Sequence, residues 1–207
     1  MGGLVLAVLG LGAHGENTAA GTPAVCKCAA VGKAVTTEAA ATETCGAADD
    51  KHEHPLPTAP KHAGLDKMKS LAGTWVVADK DGKPTEEVAS VIKVTAGGSA
   101  VQETIFPGQP HEMVSVYTAD GPDLVMTHYC VLGNQPRMKA EPKSVAGNKI
   151  RFEFAGGGNL DPKKDKHMHG ATLTFVDADH IELEGEGWEN GAPMKEMCGQ
   201  MKLVRKK

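Results

Sequence analysis

From Leu65 to Val204, apolar and polar residues alternate in short runs. Turn residues interrupt them at roughly ten-residue intervals, the spacing of consecutive β-strands. The pattern opens differently. Leu65, Met68 and Leu71 fall at helical spacing, and Gly73 stops that turn. Strands are predicted over 74–79, 88–96, 100–106, 112–118, 124–132, 137–141, 149–154, 168–176, 180–188 and 194–204. The breaks between them carry Asp81-Gly82, Gly97-Gly98, Pro107-Gly108, Asp120-Gly121, Gly133-Asn134, Pro142, Gly147-Asn148 and Asp177-Ala178-Asp179. A longer loop is expected around Gly156 to Gly158 and Pro162. Sequential hairpins with few long crossings predict an all-β, antiparallel, up-and-down barrel of about nine or ten strands, with a short N-terminal helical turn. Closure would also remove exposed sheet edges.

The first 62 residues lack this pattern. Gly2 to Ala13 is an apolar run, shorter than the roughly 20 residues a membrane span needs. With the small-x-small site Ala13-His14-Gly15, residues 1–15 read as a secretory signal whose positively charged leading region is missing. Residues 16–62 are rich in Ala and Thr and end in Pro55, Pro57 and Pro60. They read as a disordered linker that buries too little apolar surface to offset its ordering entropy. The barrel domain is then 63–207. A secreted or periplasmic location follows as an expectation, with envelope association open, and no transmembrane segment is expected in the mature chain. The 207 residues carry a net charge of -4 with acids and bases interspersed. No basic stripe is present, so nucleic acid is not an expected partner. Oligomeric state is left open.

Longer strings carry a family resemblance. Leu71-Ala72-Gly73-Thr74-Trp75 is similar to the entry motif of lipocalin-like (calycin) barrels. In those, a Gly-x-Trp on the first strand plugs the closed end. The stretches Met113-Val114-Ser115-Val116-Tyr117, Thr127-His128-Tyr129-Cys130, Gly133-Asn134-Gln135-Pro136-Arg137-Met138, Asn159-Leu160-Asp161-Pro162 and His167-Met168-His169 resemble a family of exported bacterial calycin-like proteins of unknown function. The resemblance covers residues 65 to 204 and implies a calycin-like barrel. It implies no activity, since a fold does not fix a function. It also gives no position for the haem-ligand histidine of nitrobindin-type barrels, so haem is not an expected cofactor.

Strand parity nominates the candidate chemistry. Leu124, Met126, His128 and Cys130 share one apolar face. His167 and His169 continue the face of Ala171, Leu173 and Phe175, and Glu103 lies between Val101 and Ile105. Arg137 is placed to reach the same mouth and pair with Glu103. The leading expectation is an exported module binding a small hydrophobic or amphipathic ligand. Its pocket would be lined by Met126, Phe152, Phe154, Leu173 and Phe175, with Glu103, His128, Arg137 and His169 as polar anchors. The alternative is a metal-binding protein or metal-dependent enzyme in which His128, Cys130, His167 and His169 hold zinc, copper or iron. A second alternative is a structural envelope protein with a filled core. In the bland reading, His128 and Cys130 are satisfied core residues and the other two histidines are solvated at the rim.

Upstream, Cys26, Cys28, Cys45, His52, His54 and His62 can be read as a soft-metal chelator, or the cysteines as a disulfide, with lipidation of Cys26 open. No phosphate-binding loop, nucleophile elbow or zinc-protease motif occurs in the chain. No catalytic residue is therefore nominated.

Overall fold

The computed structural model describes residues 58, 59 and 61–207, without the side chains of 196–198. The signal expected at 1–15, nearly all of the linker at 16–62, and the upstream cluster apart from His62 lie outside the described residues.

The chain forms a short helix, α1 (Ala63–Lys69), followed by ten strands. These are β1 (Gly73–Ala78), β2 (Pro84–Thr95), β3 (Ala100–Ile105), β4 (Met113–Asp120), β5 (Asp123–Tyr129) and β6 (Gln135–Ala140). A one-turn helix, α2 (Pro142–Val145), precedes β7 (Lys149–Gly158), β8 (His167–Phe175), β9 (His180–Glu189) and β10 (Ala192–Arg205). Each strand pairs antiparallel with the next, and β1 closes onto β10. The fold is thus an all-β, closed, up-and-down barrel, compatible with a calycin-like fold. Every predicted strand is present. Among the described residues, no helix is long and apolar enough to cross a membrane.

α1 plugs one end. The His62 ring caps it by accepting from the Leu65 amide at 3.1 Å through Nδ1, and its Nε2 meets the Pro122 carbonyl at 3.0 Å. That leaves Nε2 as the protonated nitrogen. Leu65, Met68 and Leu71 are buried, and below them lie Trp75, Ile92, Val101, Leu124, Met138, Ile150, Ile181 and Leu203. Each such side chain contributes about 1.5–3 kcal/mol by leaving water. These side chains are at most 3% exposed and pack closely on one another.

Trp75 locks the plug. Its indole N–H donates to the Leu71 carbonyl at 2.9 Å, and the Arg205 guanidinium lies 4.4 Å from the ring centre. Arg205 also donates to the Ala72 and Ser70 carbonyls at 2.7 and 3.0 Å. The first and last strands are therefore joined by side chains as well as by backbone. Gly73 (φ 141°) makes room, because a Cβ there would lie 2.9 Å from the arginine.

Three ladder irregularities lie toward the opposite end. Register shifts fall between Pro136 and Met138 on the β6–β7 pair, between Met168 and Gly170 on β8–β9, and between Met194 and Gly199 on β9–β10. Each extra residue changes which side chains face inward.

Candidate functional site

Beyond the plugged half, the barrel interior holds a cavity of about 290 Å3. Most of its wall is apolar: Ile105, Phe106, Met126, Phe152, Met168, Ala171, Leu173, Leu183 and Met201. Ser90, Glu103, Ser115 and Tyr117 line it from β2, β3 and β4. Gly185 and Gly199 line the β9–β10 side, beside the register shift.

The polar residues meet because of cross-strand register. Glu103 pairs with Ser115, and Ser115 pairs with His128, so three inward side chains stand abreast on β3, β4 and β5. Tyr117 follows Ser115 by two residues and shares its face. The Tyr117 phenol donates to Glu103 Oε2 at 2.6 Å, and the Ser90 hydroxyl donates to Oε1 at 2.7 Å. The Ser115 hydroxyl lies 3.0 Å from His128 Nδ1. Two buried hydrogen-bonded groups thus stand side by side, Ser90–Glu103–Tyr117 and Ser115–His128.

Its electrostatics follow from burial. Glu103 is 4% exposed. Desolvation raises its pKa, against the lowering effect of the bonds from Tyr117 and Ser90. No basic side chain contributes to that balance. Burial and the neighbouring carboxyl push the Tyr117 phenol well above 10, so it remains a donor. Burial lowers His128 to about 4, which keeps its imidazole neutral at neutral pH.

Of the expected ligand-binding residues, Glu103, Met126, Phe152 and Leu173 line the cavity. His128 is buried one hydrogen bond away, behind Ser115. The remainder lie elsewhere. Arg137 is not at the mouth. Its neighbours Pro136 and Met138 take the inward positions, so it projects outward and pairs with Asp120 at 2.7 Å. The expected Glu103–Arg137 pairing is thereby corrected. Phe175 packs on the plugged half, under the Lys67 ammonium at 5.3 Å.

His167 and His169 are also not in the cavity wall, where β8 contributes Met168, Ala171 and Leu173. The register shift at His169 breaks the parity that linked the histidines to Ala171. The two rings bond each other instead, Nε2 to Nδ1 at 3.0 Å, and His167 Nδ1 donates to the Asp165 carbonyl at 2.7 Å. His169 is stacked between Phe154 at 4.7 Å and Trp188 at 3.8 Å. Arg151, Glu153, Phe154 and Trp188 share its surface depression. Desolvation lowers its pKa, His167 adds to that, and Glu186 opposes it.

Cys130 is likewise corrected. β5 ends at Tyr129, and Cys130 begins a turn closed by its amide to the Asn134 carbonyl. It is half-buried, with its sulfur 4.0 Å from that of Met113. Among the described residues, no group of three or more His, Cys, Asp or Glu side chains is arranged to hold a metal ion. The structure therefore does not bring together the expected set of His128, Cys130, His167 and His169.

The partners of Glu103 went unnoticed in the sequence, although a signal was present. Ser90 lies two residues before Ile92 and Ser115 two residues before Tyr117, so each hydroxyl shares the strand face of a large buried side chain. Compared with known proteins, the chain matches no family model and no curated protein.

Proposed function

We propose that this barrel is a small-molecule-binding module whose ligand occupies the cavity between the β2–β4 polar wall and the β7–β10 apolar wall. One observation carries the reading: the interior is divided. The plugged half is closely packed, whereas the other half keeps about 290 Å3 open beside a buried carboxyl. A barrel serving only as scaffold gains by filling that space, because voids forfeit contacts. A concave apolar chamber with a few convergent polar groups is the usual form of a ligand site. The module is an exported one in this reading, supported by the apolar run at 2–13 and the small-x-small site after it. The resemblance to exported bacterial calycin-like proteins supports the same assignment.

The test uses methionine methyl resonances. Met126, Met168 and Met201 line the cavity, whereas Met68 and Met138 belong to the plugged half. Indole, a neutral probe, is expected to shift the first three methyls and leave the other two in place. Ala171→Phe, which fills the chamber, should abolish the shifts. Unmoved cavity methyls, or shifts that persist in a folded Ala171→Phe protein, overturn the reading.

A further inference from the structure

We infer that the ligand is a small protonated amine with a compact apolar body, its ammonium seated on Glu103. This deepens the proposed function and rests on the interior being a binding site. Glu103 is a buried acid lining the cavity, and both of its donors, Ser90 and Tyr117, are neutral hydroxyls. Each carboxyl oxygen receives one hydrogen bond. A carboxylate offers about four lone-pair sites, so two remain to accept from a guest.

The charge balance selects the guest. No Lys, Arg or His lines the cavity. The His128 imidazole is behind Ser115 and neutral. A buried carboxylate without a counter-charge is unfavourable, and a cation placed against it relieves that cost. An anionic guest meets the opposite situation: two acids in the wall, Glu103 and the more exposed Glu184, and no basic group to receive it. A neutral alcohol can donate one bond to the carboxyl but brings no charge. An ammonium brings both. It also carries several N–H donors for the carboxyl and the adjacent hydroxyls of Ser115 and Tyr117. The apolar wall opposite, with Phe152, Leu173, Leu183 and Met201, supplies the surface for an aromatic or branched body. The volume of about 290 Å3 sits at the small end for ligand chambers, which excludes a long acyl chain.

Three probes with the same benzyl body test this: phenethylamine, 2-phenylethanol and 3-phenylpropionate. Binding is followed by calorimetry and by the methyl resonances of Met126, Met168 and Met201. The amine should bind at least about tenfold more tightly than the alcohol, and the carboxylate more weakly than either. Glu103→Gln should bring the amine down to the level of the alcohol while changing the alcohol little. Should Glu103→Gln fail to fold, the amine-to-alcohol ratio in the unaltered protein decides, and Tyr117→Phe supplies a second variant in which the amine still outbinds the alcohol. Equal binding of amine and alcohol, or an amine preference that survives in folded Glu103→Gln, overturns the inference and leaves the cavity reading standing. If none of the three probes moves the cavity methyls, the cavity reading falls with it.

Discussion

Tyr117 holds Glu103 from the neighbouring strand through a 2.6 Å bond between its phenol and Oε2. Both groups are buried, so each is the other's replacement for water. Tyr117→Phe removes the donor without changing the shape of the core much. A loss of about 1–3 kcal/mol is expected in urea denaturation, the range for a hydrogen bond to an acidic group or an orphaned buried acceptor. A double-mutant cycle with Glu103→Gln should show coupling, because the two sites share that bond. Strict additivity would show that the contact contributes nothing to stability.

His128 sets a pH dependence. Burial holds it at about 4 in the folded barrel against 6.5 for the free side chain. Between these values the unfolded chain binds the extra proton, so stability rises with pH from about 4 to 6.5 and falls again on acidification. The gap corresponds to about 3 kcal/mol, at about 1.4 kcal/mol per pH unit. Glu103 tilts the other way. Its pKa is raised above 4.5, so its contribution is fully present below that value and is lost as pH climbs through the folded pKa. Denaturation midpoints measured across this range should therefore flatten at the acid end in His128→Gln and rise at the upper end in Glu103→Gln. An unchanged acid slope in His128→Gln would count against a buried neutral imidazole.

Arg205 combines a cation–π contact with two bonds to carbonyls of the plug. Arg205→Ala should cost about 2–3 kcal/mol, read as a lowered denaturation midpoint. Arg205→Lys should recover only part, since a point charge does not reproduce the flat fork over Trp75. Full recovery by lysine would reduce the clamp to simple charge.

The divided interior predicts a divided mutational response. Leu203→Ala, in the plugged half, should cost about 3 kcal/mol or more by opening a void among packed neighbours. Leu183→Ala, on a wall that already faces open space, should cost about 1 kcal/mol, since fewer contacts are lost. Similar losses at both sites would contradict the distinction between the halves.

Trp188 reports on His169, 3.8 Å away in a nearly parallel stack. In a Trp75→Phe background, its emission should change as the imidazole protonates, with a midpoint below 6.5. The cause is desolvation of the ring, aided by His167 and opposed by Glu186. A midpoint at or above 6.5 would place the ring in water instead.

The strand count was legible because each turn is written locally, as in Asp120-Gly121 or Gly133-Asn134. The plug was legible too, from the spacing of Leu65, Met68 and Leu71 and from the indole at Trp75. Facing was legible wherever the ladder is regular, which is why Glu103, Met126, Phe152 and Leu173 fell on the cavity as expected. It failed at His167 and His169, where one extra residue in β8 resets the alternation and Gly170, directly after His169, is the local mark of the shift. It failed at Arg137 for another reason. Reach alone does not set facing, and Pro136 and Met138 hold the inward sites on β6. The company kept by Glu103 depends on the register of three strands, and no local signal encodes register.

The seam between β1 and β10 gives the molecule a temporal order. A meander adds each strand to the one before it, so most of the sheet can assemble as the chain emerges. β1 nevertheless keeps one bare edge until the β10 segment has been made, and Arg205 reaches Trp75 only then. Without that pairing the sheet is an open curl with an unpaired edge on β1. In this topology the barrel closes only when its last strand pairs with its first.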